Sequence, residues 1–276
     1  MSRSAVALIG LMALMPTETA AAVAPEPIDS MVEVGGYRLH MRVSAGSALT
    51  VVFESGGTLD SSQWASIQAK VRERTGAAVV SYDRPGFGTS DLPDKPYSLD
   101  NEVVALHHAL AKLRVPERLI LVGHSYGAFN VQLYAARYPN SIEGIVLLDP
   151  NTVSIVDAIG GIGQLTFNVG PDVPPKLRQA KIRLRDALAE TMKVLRHAAL
   201  PNDIPLIVIH AGERWGSTDE FNDALRAGHE ALVGGRANHK LVIAEDSGHM
   251  INEDRPDLVL DSIDALLHKK SNPSRQ

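Results

Sequence analysis

Ser125 stands in Gly123-His124-Ser125-Tyr126-Gly127 and His249 in Ser247-Gly248-His249, a hydroxyl and an imidazole that together could do nucleophilic chemistry. A serine hydroxyl is a weak nucleophile until a neighbouring base takes its proton. The base in turn needs a carboxylate that fixes its tautomer and stabilises the imidazolium. Asp149, at the end of an apolar run, is preferred for that part. Glu213 is the alternative, although Arg214 beside it suggests a surface ion pair. An oxyanion formed at Ser125 needs two backbone donors. The Tyr126 amide, at a helix N-terminus, supplies one, and the Gly57 amide in Ser55-Gly56-Gly57 supplies the other.

These residues matter only if the fold gathers them. Residues 119–122 are apolar and read as a buried strand, and 126–137 carry the apolar stripe of a helix. Turning from strand to helix across Ser125 forces the serine into a strained backbone conformation, with its hydroxyl above the sheet edge. Gly123 and Gly127 lack the β-carbons that would collide with the crossing elements. Around this turn, strands at 50–53, 77–82, 142–148, 204–210 and 240–244 alternate with helices at 62–74, 98–113, 218–232 and 256–268. Residues 31–34 and 37–43 flank Gly35-Gly36 as a hairpin. The pattern predicts an α/β fold: a doubly wound, mostly parallel sheet with helices on both faces and an antiparallel N-terminal edge. In such sheets the ligand crevice lies at the carboxyl ends of the strands. That rule selects His249, directly after the last strand, from ten histidines. His124 reads as structural, His210 as able to line a pocket, and His40, His197, His229, His239 and His268 as ordinary surface or core residues.

The alternation breaks at Asn151. Residues 151–203 hold a Gly160-Gly161-Ile162-Gly163 run and a basic amphipathic helix at 176–197, and read as a mobile helical cap inserted into a core of 25–150 and 204–276. Ile155, Ile159, Leu165 and Phe167 in it suit an apolar acyl site or a helix core equally. At the other end, Arg3, the apolar run 5–15 and the small residues 19–24 have the layout of a secretory signal peptide over 1–24, cleaved after Ala20, Ala21 or Ala22. Export to a periplasm or the medium is the expectation, with no stable membrane span after processing, because the apolar run is too short for one. A formal net charge of −5 offers no basic field for nucleic acid. The chain has no cysteine, which removes disulfides, thiol catalysis and cysteine-ligated metals. His107 and His108, adjacent on a helix, diverge and cannot share an ion, so neither a metal nor a cofactor is expected.

Four ordered pieces resemble the α/β-hydrolase superfamily: Ser55-Gly56-Gly57, the loop Asp83-Arg84-Pro85-Gly86-Phe87-Gly88, the turn at Ser125, and Ser247-Gly248-His249 with Arg255-Pro256 behind it. The likeness runs from about Met31 to Leu267, and the order serine, acid, histidine is that superfamily's own. It differs in having Ser55-Gly56 where relatives often have His-Gly, and in lacking an aspartate after the penultimate strand; some relatives use the earlier position that Asp149 matches. The resemblance implies that the Asp83-Arg84 loop is architectural and that the chemistry is acylation and deacylation of a small to medium carboxylic ester. An amide or a lactone could be cleaved by the same residues. Ser125 argues against dehalogenase and epoxide hydrolase chemistry, which places Asp at the nucleophile. A catalytically weak ligand-binding member of the fold is the reading from another class.

Overall fold

The computed structural model describes residues 27–160 and 169–268. The leader expected over 1–24, and Leu165 and Phe167 of the insertion, lie outside the described residues.

Gly35 and Gly36 adopt φ of 109° and 99°, backbone that L side chains rarely reach, and they turn the chain between β1 (Ile28–Glu33) and β2 (Arg38–Ser44). The two strands pair antiparallel with Glu33 opposite Arg38. The other strands are β3 (Ser47–Glu54), β4 (Ala77–Tyr82), β5 (Leu119–His124), β6 (Ile142–Leu148), β7 (Leu206–Ala211) and β8 (His239–Ala244). They form one sheet in the order β1-β2-β4-β3-β5-β6-β7-β8. Every pairing from β4 to β8 is parallel, and the β2–β4 pairing is antiparallel, as the sequence pattern requires.

The helices are α1 (Ala65–Thr75), α2 (Leu99–Lys112), α3 (Gly127–Arg137), α4 (Val153–Ala158), α5 (Pro175–Asp186), α6 (Leu188–Arg196), α7 (Asp219–Val233), α8 (Ile251–Asp254) and α9 (Pro256–His268). Ser98 caps α2, its hydroxyl accepting from the Asn101 amide. Alternate residues of each central strand point to opposite faces, so an apolar run feeds two cores. Val52, Val80, Leu121 and Leu147 pack with α2 and α3 on one face. Val51, Val79, Ile120 and Val146 pack with Trp64, α1 and α9 on the other.

Between β6 and β7 the chain forms α4, α5 and α6. The single helix expected over 176–197 is two helices, broken at Ala187, although no Gly or Pro lies there. Tertiary ties explain the break. α5 is held to the loop ahead of α2, with Lys176 donating to the Gly88 and Ser90 carbonyls and Arg183 to those of Pro93 and Lys95. α6 instead lies on α3, where Gln132 donates to the Leu195 and Ala198 carbonyls. One straight helix could not serve both attachments.

Beneath the sheet's carboxyl edge sits a buried charge cluster. Arg84 (1% exposed) lies between Glu54 and Glu102, both 2% exposed. Its guanidinium donates to the Gly56 carbonyl at 2.6 Å and stands 5.1 Å above the rings of Phe87 and Tyr126. Tyr82 donates to Glu54, while Tyr97 and Asn130 donate to Glu102. Burial pushes the Glu54 carboxyl up to about 8, against the pull of Arg84. A carboxyl raised on folding adds stability that is complete below its unfolded value, near 4.5, and lost as pH rises through about 8. Glu54→Gln cannot ionise, so its unfolding free energy relative to wild type should rise between pH 5 and pH 8.5 by about 4 kcal/mol, or roughly 8–16 °C in Tm. Parallel stability profiles for the two proteins over that range would contradict a neutral Glu54.

Candidate active site

The turn at Ser125 has the strained geometry its spacing demands. Ser125 has φ of 53°, in the left-handed region that costs a non-glycine residue about 1–3 kcal/mol. Three backbone bonds hold it there: its amide donates to Leu148, and its carbonyl accepts from Ala128 and Asn151. A β-carbon on Gly127 would fall 2.7 Å from the Glu54 carbonyl oxygen, and one on Gly123 would fall 2.8 Å from Val131. Both glycines are needed for steric reasons.

One strand over, Asp149 follows β6 with φ of 41° and its amide bonded to the Ile209 carbonyl. Its carboxylate is fully buried and lies 2.7 Å from Nδ1 of His249, through Oδ2. That oxygen also accepts from Nε1 of Trp215 at 2.7 Å, and Oδ1 accepts from the Ala211 amide at 3.2 Å. Burial alone would raise the Asp149 carboxyl, but the neighbouring His210 imidazole, the bond from His249 and the nearby His229 hold it well below the usual carboxylate range. The acid therefore stays ionised. The Trp215 ring also lies against the His249 imidazole, with centroids 4.1 Å apart.

Glu213 is exposed, and only its amide reaches the histidine loop, donating to the Ser247 carbonyl. Arg214 pairs with Asp219 and Asp223 rather than with Glu213, which corrects the expected ion pair. In the glycine loop, the Gly56 amide is taken by Oε1 of Gln63 at 2.9 Å. The Gly57 amide has no acceptor among the described residues, and the Tyr126 amide lies at the first turn of α3.

The model described as the alpha/beta hydrolase family matches residues 51–262. The chain belongs to that family. "Uncharacterized protein YqjL" of Bacillus subtilis (strain 168) is 30% identical over 235 residues, covering 82% of this chain and 87% of the relative. The 2-(acetamidomethylene)succinate hydrolase of Mesorhizobium japonicum is 23% identical over 275 residues, covering 86% and 94%. The enol-lactonase of Burkholderia xenovorans LB400 superposes with a TM-score of 0.59 at 21% identity, covering 86% of this chain and 99% of that one. That last likeness is one of fold.

Three supports of this hydrolase's site carry no sequence signal. Gln63 ties together pieces distant in the chain: Oε1 holds the Gly56 amide, and Nε2 donates to Nδ1 of His124 at 2.8 Å and to Asn252 at 3.2 Å. Nε2 of His124 then donates to the His249 carbonyl at 2.9 Å, so the histidine at the end of β5 is a structural brace turned toward the His249 loop. Burial pushes its imidazole down to about 3, which keeps it neutral and able to accept and donate at once. Trp215 is the second support, and the third is His229, a buried core residue as its sequence allows, whose Nδ1 meets Nδ1 of the partly exposed His210 at 2.9 Å. A cavity of about 440 Å³ is lined by Thr58, Gln63, Met250 and Asn252, residues close to Gly57 and His249 in sequence. Another of about 390 Å³ lies between the hairpin turn, Tyr97 and Arg183, away from Ser125. Neither cavity is lined by Ser125, Asp149 or His249.

Asp149→Asn should reduce kcat by about 10⁴-fold with the fold intact, because the amide cannot hold the required tautomer. Glu213→Gln should stay within about threefold of wild type, and Trp215→Phe, which keeps a ring but loses the indole donor, should fall between them. Steady-state kinetics on a chromogenic ester check the series; a Glu213→Gln loss exceeding that of Asp149→Asn would contradict the assignment.

Proposed function

We propose that this hydrolase cleaves carboxylic esters of small to medium molecules through an acyl-enzyme on Ser125. The observation that carries the reading is the 2.7 Å bond between Nδ1 of His249 and a buried, ionised Asp149, on the sheet edge where Ser125 turns. With Nδ1 committed to the acid, Nε2 is the nitrogen left to face the serine. Ser125 Oγ attacks the carbonyl carbon as its proton passes to Nε2 of His249, and the substrate oxygen takes the negative charge. The Gly57 and Tyr126 amides receive that oxyanion; losing one such donor costs about 2.7–4 kcal/mol of transition-state stabilisation. Collapse expels the alcohol, protonated by His249. A water then repeats the sequence, with the carboxylic acid as product and Ser125 regenerated. No bound cofactor takes part in these steps.

The same residues acting on an amide or lactone form the second reading. It is favoured by the names of two similar proteins, a 2-(acetamidomethylene)succinate hydrolase and an enol-lactonase. Helices α4 to α6 would then set the acyl and leaving-group pocket as a cap.

A fluorophosphonate probe should label the wild-type protein at one site and fail to label Ser125→Ala. Turnover of p-nitrophenyl esters should exceed that of aminoacyl-p-nitroanilides by at least tenfold. A well-folded protein that takes no label would contradict the hydrolytic reading, and faster anilide cleavage would move the substrate to the amide class.

A further inference from the structure

Behind the carboxylate that faces His249, three potential ligand atoms converge from separate elements. Oδ1 of Asp149 lies 3.6 Å from Nδ1 of His210 at the end of β7, and 3.9 Å from Nδ1 of His229 on α7. The two imidazole nitrogens are 2.9 Å apart. A triangle with these edges has a centre about 2 Å from all three corners, the length of a zinc–nitrogen or zinc–carboxylate bond.

The surrounding bonds prepare the ligands. Nε2 of His229 faces the Pro150 carbonyl at 2.8 Å, and a carbonyl only accepts, so that nitrogen carries the proton. Nδ1 of His229 is then bare, with its lone pair toward the cluster. A donor to a backbone carbonyl on the far nitrogen is also the arrangement that orients metal-bound histidines. His210 holds the proton shared between the rings; moving it to Nε2 frees the second imidazole nitrogen. The carboxylate supplies the third ligand through Oδ1, while Oδ2 keeps its bonds to His249 and Trp215. The short edge between the rings would open by a few tenths of an ångström, since an ion replaces a shared proton there. Access lies along His210, whose side chain is 12% exposed, and past Trp215, 37% exposed over Asp149.

We propose that Asp149, His210 and His229 form a site for a divalent transition ion such as zinc, and that its occupation slows hydrolysis. Two imidazoles and one carboxylate suit zinc, with water completing the coordination. The ion draws the carboxylate's charge toward Oδ1 and away from His249, so the base is weaker and its imidazolium less stabilised. This inhibitory half rests on the Ser125–His249–Asp149 reading; binding itself does not. An ordinary sequence inspection passes over the site, because its ligands stand at 149, 210 and 229 with none of the short spacings that advertise a metal.

The test uses untagged, EDTA-treated full-length protein. Equilibrium dialysis with Zn²⁺, and titration with Co²⁺ followed by its visible absorption, should show one ion per chain. His210→Gln and His229→Gln, each shown folded by circular dichroism, should bind at least tenfold more weakly. The same Zn²⁺ concentrations should inhibit p-nitrophenyl ester hydrolysis by wild-type protein, with activity returning on adding EDTA. Absence of stoichiometric binding at micromolar metal, or binding unchanged in either variant, would overturn the site. Stoichiometric binding with undiminished turnover would overturn the inhibitory half. A metal-free wild-type protein that hydrolyses no ester would count against the proposed function, while the Co²⁺ titration would still decide the site.

Discussion

The hydrogen bond from His249 to Asp149 joins residues a hundred positions apart and sets a demand that much of the molecule meets. A carboxylate with no solvent exposure would ordinarily take up a proton, and a protonated acid could not hold the imidazole as a base. Asp149 avoids this because each of its oxygens finds donors: His249 and Trp215 on one, the Ala211 amide on the other. The parallel register of β6, β7 and β8 brings those donors to it. Stacked strand ends create the charge environment that the chemistry needs.

Strain at the same edge is part of that arrangement. Ser125, Asp149 and Asp246, three residues at or beside the site, adopt positive φ without being glycine. The left-handed turns at Ser125 and Asp149 redirect the chain immediately after β5 and β6. The cost is sustained by a frame of bonds. Gln63 joins the glycine loop to His124 and to the segment after His249, and Arg84 holds the Gly56 carbonyl from below. The buried Glu54 and Glu102 beside Arg84 make that support depend on charge balance beneath the site.

Residues whose roles are local were legible in the sequence. Gly35-Gly36 named the hairpin, Ser98 the helix cap, and the two glycines around Ser125 the strained turn, since each follows from what a backbone needs within a few positions. Asp149 was readable by its place after an apolar strand, and the structure sets it against His249. Gln63, Trp215 and His229 were not readable, because their partners are distant in the chain and ordinary in type. The bend at Ala187 was hidden for the same reason: nothing in the local composition breaks a helix there, and only the competing attachments of α5 and α6 do.

The most direct measurement is a crystal structure of the protein after reaction with a small phosphonate ester. Phosphorus should be bonded to Ser125 Oγ, its oxygen about 2.7–3.1 Å from the amides of both Gly57 and Tyr126, with the His249–Asp149 bond intact. Phosphorus on another residue, or an adduct on Ser125 whose oxygen faces away from both amides, would contradict a serine, histidine and aspartate assembled for acyl transfer at this edge.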